Sequence, residues 1–368
     1  ARYINNSTSF QEVPASTTLL SHVHKENFFN DFKTESLLPH KMSTLGPCSA
    51  IGDIDNDGLD DVFIGGSKGE SGRIYRQTAI GTFGLVDTVT FKKNSLQEDG
   101  AAVFFDFDND NDLDLYVGSG SNESLLNSED YKNHIYLNDG KGNFTVGTGL
   151  LPDYLVSIGC VKPFDFDNDG DIDLFIGGRQ TPQKYPTPAN SYLLKNENGR
   201  FHISQEFKDF GMVTDAIWTD YNSDGFSDLI VVGEWMPITL LSNNKGTLIK
   251  DSKSSMNETT GWWNRIQKGD FDNDGDDDYI VGNLGLNIKY KATIKEPFSV
   301  HYYDFDNDST NDIVLSYYNQ GTCFPLRGKQ CSSEQMPGLL KQFDNYHKFA
   351  SSNLSQVYGE KLEYALNY

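Results

Sequence analysis

Apolar residues along this chain fall in short runs that end at glycine, and each run follows a stretch in which aspartates alternate with other residues. Val62-Phe63-Ile64, Leu115-Tyr116-Val117, Leu174-Phe175-Ile176 and Leu229-Ile230-Val231-Val232 are β-branched, aromatic or leucine-rich. Such runs predict strands, not helices. The polar stretch ahead of them is always nine residues long. In its third copy, Asp165-Phe166-Asp167-Asn168-Asp169-Gly170-Asp171-Ile172-Asp173, carboxylates stand at positions 1, 3, 5 and 9, and glycine at position 6 supplies a sharp turn.

Six copies begin at Asp53, Asp106, Asp165, Asp220, Asp270 and Asp304. Position 3 holds Asp55, Asp108, Asp167, Asn222, Asp272 and Asp306; position 5 holds Asp57, Asp110, Asp169, Asp224, Asp274 and Asp308; position 9 holds Asp61, Asp114, Asp173, Asp228, Asp278 and Asp312. Two like charges at ~4 Å repel by about 1 kcal/mol even in water. A hard cation that takes about six to eight oxygens reverses that cost, so these residues are expected to ligate six Ca2+ ions. The fourth loop, with its neutral Asn222, and the sixth, with Ser309 in place of glycine, are expected to bind most weakly. An EF-hand does not fit. It needs a bidentate Glu at position 12, where this chain has Ile64, Val117, Ile176, Val231, Val281 and Leu315.

Successive first aspartates are 53, 59, 55, 50 and 34 residues apart. A period near 50 that opens with two strands is the size of a four-stranded propeller blade. Third runs (Arg73-Ile74-Tyr75, His134 to Leu137, Ser191 to Leu194, Ile238 to Leu241) and fourth runs opening at Gly81, Gly142, Gly199 and Gly246 complete units one to four. Only 25 residues separate Asp278 from Asp304, so unit five must be abbreviated. The predicted fold is therefore all-β: a calcium-binding β-propeller over 48–318, preceded by a segment over 1–47 and followed by a loop and helical segment over 319–368. In the helical part, Leu339, Leu340, Phe343 and Tyr346 are expected on one buried face, and Leu354, Val357, Tyr358 and Leu362 on another. Thr8 to Val13 resembles a fourth strand without a third, as if it closed a last blade whose other strands lie beyond Tyr368.

The net charge of −23 argues against nucleic acid and anionic membranes as partners, but 28 of the 53 acids belong to the loops. Six calcium ions would reduce the charge to −11, so the acidity is largely metal ligand. Cys48 and Cys160 occupy equivalent positions and read as buried thiols, while Cys323 and Cys331, eight apart, could close a small disulfide. No window is apolar enough to span a membrane. Calcium loops of this kind suit an extracellular or outer-membrane surface better than a calcium-poor cytosol. His24 and His40 are expected to be packed or surface residues.

Six copies of Asp-x-Asp-x-Asp-Gly-x-x-Asp between strands make the chain resemble the FG-GAP/VCBS repeats of integrin α-subunits and of bacterial secreted proteins. The phrases Gly178-Arg179, Gly211 to Ala216, Gly233-Glu234-Trp235-Met236-Pro237 and Gly261-Trp262-Trp263-Asn264 look closer to the cartilage-acidic-protein-like (ASPIC/UnbV-associated) VCBS proteins of Bacteroidetes-type bacteria. The resemblance implies a calcium-bearing propeller, often seven-bladed and exported to the cell surface. It implies no single activity.

Because each loop joins a first strand to a second, all six loops belong at one end of the units. The opposite end collects Glu98, Asp99, Asp215, Trp262, Trp263, Asn264 and Arg265 before first strands, and Arg179, Glu234, Trp235, Asn283 and Asn287 after second strands. Aromatic platforms beside acids, Arg and Asn could hold a glycan or peptide. The favoured expectation is a non-catalytic surface module that docks a protein or glycan within a larger assembly. The alternative is a polysaccharide lyase or hydrolase with Glu98, Asp99 or Asp215 as acid or base near Trp263.

Overall fold

The computed structural model describes residues 13–18, 21–86 and 89–368, and antiparallel sheet dominates it. Unit one is a four-stranded sheet of β1 (Ser49–Gly52), β2 (Asp61–Ile64), β3 (Arg73–Ala79) and β4 (Thr82–Leu85). Unit two repeats it with β5 (Asp99–Phe105), β6 (Asp114–Ser119), β7 (His134–Leu137) and β8 (Thr145–Gly147). Units three and four share a strand. β9 (Ser157–Phe164), β10 (Asp173–Gln180) and β11 (Ala189–Asn196) lead into β12 (Phe201–Thr219), whose second half opens unit four with β13 (Asp228–Met236), β14 (Thr239–Asn243) and β15 (Leu248–Lys250).

Unit five has two strands, β16 (Gly261–Gly269) and β17 (Asp278–Asn283); unit six has β18 (Ser299–Tyr303), β19 (Asp312–Asn319) and β20 (Thr322–Pro325). A short β21 (Leu366–Asn367) pairs with the free edge of β18. In every unit the residue before position 1 pairs with position 9, as Phe164 does with Asp173, so each nine-residue loop is a strand-to-strand connector of one register.

The core lies between the units. Leu174 and Ile176 of β10 pack toward unit two, with Phe105, Phe107 and Tyr116. Phe175, between them, packs toward unit four, with Val213, Leu229 and Leu241. A strand buried on both faces needs an apolar residue at every position, which is why the second strands read as continuous apolar runs. First strands of consecutive units lie beside one another, β1 by β5, β5 by β9, and β9 and β16 by the second half of β12.

Residues 21–47 are anchored by the buried Asp31, which accepts from the Met42 and Ser43 amides and the Ser43 hydroxyl. Residues 8–12 of the strand-like Thr8 to Val13 run lie outside the described residues. Two expectations need correction. The C-terminal segment is not two continuous faces but four short helices, 329–335, 339–342, 346–350 and 354–358, with Pro337 after the first and Asn345 and Asn353 capping the last two. The breaks turn Leu340 (56% exposed) and Tyr346 (64%) to solvent, while Leu339, Phe343, Leu354, Val357 and Tyr358 stay buried. Cys323 and Cys331 are free thiols, as are Cys48 and Cys160, and Cys48 is only half-buried. No helix among the described residues is long and apolar enough to cross a membrane.

Candidate functional site

The loop end is built from backbone conformation outward. Position 4 (Asn56, Asn109, Asn168, Ser223, Asn273, Asn307) has φ between +57° and +63° in all six loops. Position 6 is also left-handed in all six, Asn111 and Ser309 included, at +70° and +73°. The position-1 carboxylate closes the turn. Asp165 accepts from the amides of Asp169 (3.1 Å) and Gly170 (3.0 Å), and Asp53, Asp220, Asp270 and Asp304 repeat the pattern. Asp106 makes the corresponding bond to Asn111. Position 5 accepts from the position-7 amide, as Asp169 does from Asp171.

Five loops thereby bring three carboxylate oxygens within 4.8 Å of one another: Asp53, Asp55 and Asp57; Asp106, Asp108 and Asp110; Asp165, Asp167 and Asp173; Asp270, Asp272 and Asp278; Asp304, Asp306 and Asp308. Clustered hard oxygens suit calcium. The fourth loop, with Asn222 in place of a carboxylate, forms no such trio. Basic side chains reach four of the loops, the fifth loop through Lys268 on Asp277 (2.7 Å). Arg76 pairs with Asp55 (3.1 Å), Lys195 with Asp167 and Asp169, and Lys361 donates to Asn307 (2.9 Å).

Position 9 has a structural task as well. Asp61, Asp114, Asp173 and Asp228 are at most 2% exposed. In units one to four one oxygen accepts an amide at or near the end of the third strand (Gln77, Asn138, Asn196, Asn243); in units one to three the other accepts the position-2 amide of the same loop. Burial pushes the Asp173 carboxyl up to about 7 against the pull of those two amides. The third-strand asparagines then staple units together. The side-chain amides of Asn138, Asn196 and Asn243 donate to the carbonyls of Ile54, Phe107 and Phe166, each the position-2 residue of the preceding unit. Sequence reasoning missed these staples because their distance from position 9 varies; the signal was an asparagine three or four residues before the glycine that opens the fourth run in units two to four.

At the opposite end, Glu98, Arg179, Asn264 and Arg265 line one cavity of about 440 Å3, together with Lys162, Ser121 and both Cys48 and Cys160. Asp215 sits behind its wall, paired with Lys162 (2.7 Å) and Arg265 (4.0 Å) and accepting the Ile266 amide. Glu234 and Trp235 lie behind Arg179. Burial alone would raise the Glu234 carboxyl, but Arg179, His40 and Tyr185 hold it down at about 2. Trp235 donates to the Tyr185 hydroxyl. Tyr185, His40 and Lys162 carry this network; Tyr185 and Lys162 were not singled out in the sequence, and His40 was expected only as a packed or surface residue.

Three expected members go elsewhere. Asp99, next to Glu98, turns into unit one, where it accepts the Gly66 amide and burial raises its carboxyl to about 7. Trp263 is no platform beside Asp215: it packs with Ile230, Val232 and Ile266 and donates to the Thr259 carbonyl. Asn283 accepts the Gly285 amide at the end of β17. Aromatic rings do gather nearby, in a row from His40 through Trp262, Trp235, Phe298 and Tyr290 to Tyr317, with successive centroids 4.8 to 5.9 Å apart.

The profile of the FG-GAP-like repeat matches residues 53–117, 118–176 and 220–281, just over half of the chain. The chain belongs to the FG-GAP-like repeat family. Each matched stretch of this FG-GAP-like chain ends on a second strand, at Val117, Ile176 or Val281. No curated protein matches it. Among solved structures it is similar to a thermostable family-43 glycoside hydrolase (11% identity, TM-score 0.36, covering 78% of this chain and 96% of that one). It is also similar to BBS1N in complex with ARL6DN, soaked with lead (13% identity, TM-score 0.38, covering 76% and 79%).

Proposed function

We propose that this chain is a non-catalytic, calcium-stiffened β-propeller of the ASPIC/UnbV-associated VCBS type. It stands at an extracellular or outer-membrane surface, within a larger assembly, and docks a protein or glycan on the end opposite its loops. First strands side by side around one cavity, with every loop at one end, support the propeller. The clustered loop oxygens support calcium.

The aromatic row carries the docking role. Trp262, Phe298, Tyr290 and Tyr317 are only partly buried, and their ring faces and polar tips suit sugar or peptide better than bulk water alone. Cleavage of a glycosidic bond would ask for two carboxyls about 5 to 9.5 Å apart. Glu98 is the one acid lining the cavity; Asp215 is committed to Lys162 and Asp99 points away. Electrophoresis of the calcium-loaded protein through gels containing neutral and acidic polysaccharides, with chromatography for released sugar, tests the reading. Retardation that weakens in Tyr290→Ala, without product, is the expected result. Product release that vanishes in Glu98→Gln would replace the docking module with a lyase or hydrolase.

A further inference from the structure

The cavity at the starts of the first strands holds three polar side chains whose bonding is incomplete. Arg179 is 7% exposed; one guanidinium nitrogen, Nη2, holds Glu234, and the other, Nη1, has no partner among the described residues. Its stem lies across Gly159, where a Cβ would come within 3.2 Å of Cδ. Glu98, also 7% exposed, leaves Oε2 without a hydrogen bond among the described residues, and the neighbouring Ser121 hydroxyl likewise completes none of ordinary geometry. Buried donors and acceptors left open are costly, so a wall that carries three is shaped for something that completes them.

Charge narrows the class. Lys162, Arg179 and Arg265 face Asp215 and Glu234, which leaves one surplus positive charge in a chain whose net charge is −23. Glu98 does not cancel it. Burial, with Glu26, Asp99 and Glu123 nearby, raises its carboxyl to about 8 despite the Ser121 hydroxyl, so at neutral pH it is an O–H donor. A singly charged planar anion matches the free edge of an arginine fork. About 440 Å3 is far more than a bare carboxylate fills, and Ser121, Asn264 and Glu98 offer hydroxyl-type contacts to the remainder.

We propose that this cavity is a binding site for a small hydroxylated monocarboxylate, of the sugar-acid class, whose carboxylate bonds Arg179 Nη1 and whose hydroxyls meet Glu98, Ser121 and Asn264. The site goes beyond docking of a macromolecule on the aromatic row and needs neither that partner nor calcium in the loops. Calorimetric titration of the intact chain with D-glucuronate, and with D-glucose at the same concentration, tests it. The expected result is one-to-one binding of glucuronate and none of glucose. Arg179→Lys, which keeps a cation for Glu234 but gives up the second nitrogen, should weaken glucuronate at least tenfold. Arg265→Ala, at a side chain 74% exposed and therefore cheap to remove, should weaken it several-fold and guards against Arg179→Lys failing to fold. Failure of glucuronate to bind folded protein, equal binding of glucose, or wild-type affinity in the folded variants would overturn the site.

Discussion

Units three and five carry nearly the same nine residues, differing only at position 8, Ile172 against Asp277, yet they are built into the molecule differently. In unit three Phe166 is 1% exposed and stacks on Trp218 of the next unit, and Asp173 accepts both its own loop and the third strand. In unit five Phe271 is 54% exposed, and among the described residues Asp278 accepts only the Phe271 amide. No third strand pairs with β17 among the described residues. Positions 1, 3 and 5 of the motif make a loop wherever they occur. Its position-2 aromatic and position-9 carboxylate become structural only where a third strand and a following unit cover them.

The largest test of that contrast removes the aromatic ring. Phe166→Ala should cost about 3–5 kcal/mol in chemical denaturation, as a fully buried ring does. Phe271→Ala should stay within about 0.5 kcal/mol, as exposed positions do. Equal losses in the two units would mean that unit five is covered after all.

Chelation probes what the two loops share. If each binds calcium, Asp169→Ala and Asp274→Ala should both lower the melting temperature in calcium and leave it unchanged in chelator. An ion present at about 100 times its Kd stabilises by ~2.7 kcal/mol. Identical melting of wild type with and without chelator would remove calcium from the account of both units.

Much of this was legible in the chain because carboxylates at fixed spacing and apolar runs of fixed length are local signals. The loops, the strand pairs and the shortness of unit five all follow from them. The opposite end was legible only as a roster. Glu98 and Asp99 are adjacent in sequence, but alternation along β5 and the turn before it sends one to the cavity and the other into unit one. Tyr185 and His40 reach Glu234 from 49 and 194 residues away, a meeting that no local pattern announces.

The asparagine staple is the next smaller effect. Asn196 is fully buried, donates to Phe107 and accepts from Gly199. Asn196→Ala leaves a buried carbonyl and amide unpaired and should cost about 1–3 kcal/mol. The loss should appear as weakened coupling between units two and three, read as faster hydrogen exchange at the Phe107 and Asp173 amides. Unchanged exchange at both would show that apolar packing alone joins the units.

The smallest effect should be the same in both units, which makes it the sharpest control. Gly170 and Gly275 have φ of +96° and +98°, and a Cβ at either would meet nothing within 4 Å. Space is therefore not the reason for glycine, and the backbone is. Alanine at either position should cost about 1 kcal/mol, from left-handed strain alone. Ser309→Gly should return a similar amount, since Ser309 already holds +73° without a glycine's freedom. If Gly170→Ala proved much worse than Gly275→Ala, the loop conformation itself would depend on the covering strand, and the division of the motif into a local half and a covered half would fail.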